Sequence, residues 1–180
     1  MVAVHVQQRR QSMKFIKRGA ALVAAAAVSA VVFAAPAAAT ITPNPYSTRA
    51  GTGTFTTISS LGNGSCNLSG INASATGASG SVTAFTASGC RGTITAARKS
   101  SDITISSSLT TGVATAAVSL LVTNILGGTC LYAGTMTGRL TRTSTITLTG
   151  TIPLTLTLGG ICTASADSSL SVTLPGATFG

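Results

Sequence analysis

The chain has no Trp and no Glu, and its one His, His5, lies in the first ten residues. Beyond residue 39 the charged side chains shrink to one Lys, five Arg and two Asp, while about a third of the residues are Ser or Thr. Acid–base catalysis near neutral pH draws on His, Glu, Asp, Lys or Cys, and this stretch has almost emptied that set. A Ser or Thr nucleophile has no His base, which excludes the common hydrolase triad. A Ser–Lys arrangement would have to use Lys99, inside Arg98-Lys99-Ser100-Ser101-Asp102, a segment that reads as a solvated turn between strands. Asp102 and Asp167 could form the carboxylate pair of a glycosidase, but two lone aspartates in polar turns read more simply as surface groups. The expectation is a protein that is not an enzyme and uses no cofactor or metal.

Charge of one sign is also short. The full chain carries a formal +9, but Arg9, Arg10, Lys14, Lys17 and Arg18 account for five of its eleven basic residues. Without that segment six basic residues stand against two acidic ones, leaving +4. Those six are scattered, with no aromatics interleaved. Nucleic-acid binding needs a basic patch or stripe, so no nucleic-acid partner is expected.

What is present begins with an export signal. The basic cluster precedes an apolar run of 17 residues from Gly19 to Ala35; Pro36 ends it, and Ala37-Ala38-Ala39 supplies the small residues of a cleavage site. Cleavage is expected between Ala39 and Thr40, with Met1 or Met13 as the start. The alternative is a single membrane anchor, but the run is mostly Ala and shorter than the ~20 apolar residues of a spanning helix. Gln11 and Ser12 follow the Arg9-Arg10 pair where twin-arginine export wants apolar residues. The general secretory route is therefore expected, to the outside or the cell surface of a bacterium, with no stable membrane anchor after cleavage.

Residues 40–53, containing Pro43, Pro45 and Gly51, read as an extended lead-in, and 54–180 as one all-β domain. From Leu140 to Leu158, Thr holds most odd positions, while Ile146, Leu148, Ile152, Leu154, Leu156 and Leu158 hold even ones. Alternate residues of a strand face opposite sides, so this run predicts one apolar face and one threonine face. Gly150 and Pro153 are expected to split or bend it, with the second piece at an edge or bulge. Ile103/Ile105, Val118/Leu120/Val122 and Leu170/Val172/Leu174 repeat the pattern. Gly-containing breaks near 62–64, 77–80, 89–92, 127–128, 134–138 and 159–160 mark turns. Nine to eleven short strands are expected, as a β-sandwich or a barrel.

A faint repeat links Leu61-Gly62-Asn63-Gly64-Ser65-Cys66 with Leu126-Gly127-Gly128-Thr129-Cys130. Each copy is followed by a β stretch and a second cysteine beside glycine, Cys90 and then Cys162, as if the domain had two related halves. Four cysteines in an exported chain imply disulfides, and their wide spacing lacks the C-x-x-C pairs of a metal site. The repeat favours Cys66–Cys90 and Cys130–Cys162; the other two connectivities stay open. Asn63-Gly64-Ser65, Asn67-Leu68-Ser69 and Asn72-Ala73-Ser74 match the N-glycosylation pattern, incidentally in a bacterial protein.

Gly51-Thr52-Gly53-Thr54-Phe55, the Ser/Thr/Gly-rich β texture and Val122-Thr123-Asn124-Ile125-Leu126-Gly127-Gly128-Thr129-Cys130, with two spaced cysteine pairs, resemble the small secreted bacterial proteins called activators of alkane oxidation. The resemblance implies an exported surface or matrix protein that helps cells handle hydrophobic substrates or form biofilm, and it brings no catalytic residues. The expectation is a non-catalytic structural or interaction protein, associating with itself or with matrix. Two alternatives are a soluble β carrier of an apolar ligand and a small outer-membrane β-barrel. The second lacks material for the aromatic girdles of such barrels.

Overall fold

The alternating segments are strands of one closed sheet. The computed structural model describes residues 41–108 and 111–179; the signal segment and the Ala39/Thr40 cleavage site lie outside them. Eleven strands run in order: β1 Ile41–Thr42, β2 Tyr46–Ser59, β3 Gly62–Thr76, β4 Ser79–Gly92, β5 Ile94–Lys99, β6 Ile103–Ser107, β7 Val113–Asn124, β8 Thr129–Arg139, β9 Thr145–Gly159, β10 Ser165–Thr173 and β11 Thr178–Phe179. Each of β2, β3, β4, β6, β7, β8, β9 and β10 pairs antiparallel with the next, and β10 pairs back onto β2. This is an eight-stranded up-and-down barrel, and closure removes most sheet edges. Strand β5 is collinear with β6 and pairs with β7 at Leu120–Asn124, where β6 has ended.

Inside and outside follow the period-two pattern. Phe55, Leu68, Val82, Ile103, Val118, Leu120, Met136, Ile146, Leu148, Ile152, Leu170 and Val172 are buried in one core. Eight strands leave an interior just wide enough for side chains to fill. Most intervening positions turn outward as hydroxyls: Thr149, Ser169, Thr56 and Ser65 oppose one another across β9, β10, β2 and β3. Thr145 and Thr173 hydrogen-bond on that outer wall at 2.8 Å, and the Thr151 hydroxyl donates to Asp167.

Several expectations are corrected by this arrangement. Residues 40–53, expected as an extended lead-in, contain β1 and the first half of β2, and Tyr46 there is buried, its hydroxyl donating to the Pro175 carbonyl at 2.7 Å. Gly134 and Gly138 form no turn. They sit inside β8, where a Cβ on Gly138 would meet the Thr147 carbonyl oxygen at 2.1 Å, so the glycine permits close approach of β9. The run after Thr145 is not two strands but one of 15 residues. Its pairing with β8 shifts register twice: Tyr132 faces Leu154 while Leu131 faces Leu156, and Cys130 faces Thr157 while Thr129 faces Gly159. Such a one-residue shift exchanges the faces of a strand. Leu156 therefore points out, 49% exposed, and Leu158, the residue skipped at the second shift, is 57% exposed, although both continue the even-numbered apolar series.

Candidate functional site

The two ends of the barrel hold the polar and structural features that the cylinder wall lacks. At one end β1 and β11 pair, and the side chain of Phe179, in β11, is buried against the apolar cavity there. At the other, residues 160–164 cross from β9 to β10. The sequence brings them inward because Gly160 has φ +68° and packs directly on the backbone of Gly127 and Gly128, where no Cβ would fit. The Cys130–Cys162 disulfide ties this strap to β8. Cys66–Cys90 joins the neighbouring strands β3 and β4. The four cysteines thus form the two sequential pairs, and the described residues contain no free thiol.

Asn124 organises the strapped end. Its Oδ1 accepts from the backbone of Leu126 at 2.9 Å and Gly128 at 3.0 Å, closing the β7–β8 turn. Its Nδ2 donates to the Ile161 carbonyl at 2.7 Å and so joins that turn to the strap. Deeper in, the Tyr132 hydroxyl meets the Thr163 hydroxyl at 2.9 Å and the Thr163 carbonyl at 3.2 Å. Sequence reading missed Asn124 and Tyr132, since a lone Asn before Ile-Leu-Gly-Gly carries only a turn signal. Replacing Asn124 with Ala removes three hydrogen bonds from a largely buried position. A loss of about 2–3 kcal/mol is expected, read as a lower urea midpoint with an unchanged slope.

The interior beneath these caps is nearly full. A cavity of about 20 Å³ lies among Thr57, Asn124, Tyr132, Thr163 and Ser168, with the buried Thr57 hydroxyl lacking a hydrogen-bond partner beside it. A second of about 20 Å³ lies among Ile103, Ile146, Leu148 and Leu170. Pockets for small ligands measure roughly 300 Å³ or more. Spaces of that size occur on the outer wall instead, as open depressions of about 330, 450 and 410 Å³ around Ile58.

The candidate chemical residues are dispersed. Lys99 pairs with Asp102 at 2.6 Å across the β5–β6 turn. Asp167 accepts from Thr151, its cross-strand partner on β9. Among the described residues no cluster of His, Cys, Asp or Glu could hold a metal ion, and no helix is long and apolar enough to cross a membrane. No family model, curated protein or solved structure matches the chain.

Proposed function

We propose that this chain is an exported, non-catalytic structural or interaction protein of the cell surface or extracellular matrix. The observation that carries the reading is the filled, doubly capped interior: what the barrel offers to other molecules is its outside. That outside is a wall of Thr and Ser hydroxyls on a cross-linked sheet, with shallow depressions around Ile58. Disulfides persist in oxidising compartments, which supports export. The contribution to biofilm or to contact with hydrophobic substrates rests on the resemblance to activators of alkane oxidation and is part of the proposal.

The two alternatives fit less well. A carrier of an alkyl chain would need an internal pocket many times larger than either cavity. An outer-membrane barrel turns apolar residues to lipid and polar ones inward, whereas here the apolar set points in.

Fractionation of producing cells tests the reading. The protein is expected with the cell surface and matrix, released by salt or mild denaturant without detergent. Recovery only from the outer membrane with detergent would overturn it, as would recovery as a freely soluble protein carrying a bound apolar molecule.

A further inference from the structure

The geometry points to self-association through the exposed end of β9: two copies pair their segments Thr155–Gly159 antiparallel about a two-fold axis, burying Leu156 and Leu158 against each other. Three observations carry this, and it deepens the structural reading above, on which it rests by taking self-association as part of that role.

The first is an open edge: the ladder around the barrel is interrupted here, as it also is between residues 83–92 of β4 and the facing side of β5. β10 begins at Ser165, opposite Pro153. The Leu154 amide still reaches the Ala164 carbonyl at 2.8 Å, and beyond it Thr155–Gly159 are paired on the β8 side alone. The strap does not supply the missing partner, because it turns across the barrel mouth onto Gly128 and Asn124. An unpaired edge is a template for another strand, so the occupant is an extended segment.

The second is the face that this edge carries. The two register shifts leave Leu156 and Leu158 exposed beside Leu131, while Ile125, Leu126 and Ile161 stand exposed on the adjoining turn and strap. Together they present an apolar patch on the order of 500 Å², at the upper end of what monomers expose. Edge pairing sets the two patches side by side as one continuous surface, in which the leucines of each copy cover part of the other's.

The third is self-complementarity. Antiparallel pairing centred on Thr157 sets Leu156 of one copy opposite Leu158 of the other, on one face. No charged residue occurs between Arg142 and Asp167 or between Val113 and Arg139. Charge is one device by which natural edges repel a like strand; this edge carries none, and its irregularities are Pro153 and the two register shifts.

The test is light scattering on the exported, oxidised protein across a concentration series, with Leu156→Lys and Leu158→Lys, and Thr54→Lys on the hydroxyl wall as a control. All three positions are exposed, and unchanged melting of each variant confirms folding. The expected result is a concentration-dependent dimer in the wild type and the control, weakened at least tenfold by either leucine substitution. A wild-type monomer throughout overturns the proposal, and if that monomer floats with phosphatidylcholine vesicles the face belongs to lipid. A dimer indifferent to both leucine variants also overturns it, while leaving the surface role standing. Failure of that role is read separately, from the fractionation.

Discussion

Replacing Cys130 and Cys162 together with Ala is expected to lower stability by about 3–4 kcal/mol. The bridge closes a loop with a sequence separation of 32, and the chain-entropy model assigns a loop of that size a cost of this order. In a domain of this length the loss corresponds to a fall of roughly 10 °C in Tm. Location adds a second expectation. Cys162 lies on the strap, which is held to the rest of the barrel by this bridge, by Asn124 and by Tyr132. Without it, amide exchange is expected to accelerate at 124–128 and 161–163 well before the β2–β4 sheet loosens. Removal of Cys66 and Cys90 acts differently, since β3 and β4 remain joined by their ladder. Thermal melts and residue-resolved hydrogen exchange on the two double variants check this. Identical exchange patterns would show that the strap is not an independently held cap.

Leu148→Ala is the second large effect. Leu148 is 1% exposed and lines the apolar cavity beneath Phe179. Truncating a buried Leu costs about 2.7–5 kcal/mol, more where the surroundings cannot collapse into the space. Here the space opens beside an existing void, and the wall is held in register on both sides by β8 and β10. A loss of about 4 kcal/mol is expected, measured as the urea midpoint of the oxidised protein. The outward neighbour Thr149, on the hydroxyl wall, is expected to tolerate Ala within about 0.5 kcal/mol. A comparable loss at both positions would contradict the assignment of inside and outside.

The contrast between Leu148 and Leu158 also marks how far the sequence can be read. Alternation alone identifies Ile146, Leu148, Ile152, Leu170 and Val172 as one buried face, because pleat direction is a local property. The repeat around Cys66 and Cys130 points to the two sequential disulfides, and the near-absence of charge points to a core of aliphatics and threonine. Other features depend on partners far along the chain. Closure of β10 onto β2 decides between sandwich and barrel, and no local signal encodes it. The two register shifts against β8 expose Leu156 and Leu158 without breaking their even spacing. Gly134 and Gly138 look like turn residues until β9 is packed against them. Asn124 becomes legible as a tether once the strap lies beside it. Pro153 alone announced that β9 approaches an edge there.

The central claim is that this barrel works through its surface and keeps nothing inside. The most direct test is native mass spectrometry of the exported, oxidised protein in detergent-free solution, before and after exposure to a long-chain alkane. The account expects the mass of the polypeptide and its self-associated forms, unchanged by the alkane. A monomer that gains one alkane per chain, with raised thermal stability, would contradict it and make the interior the functional site.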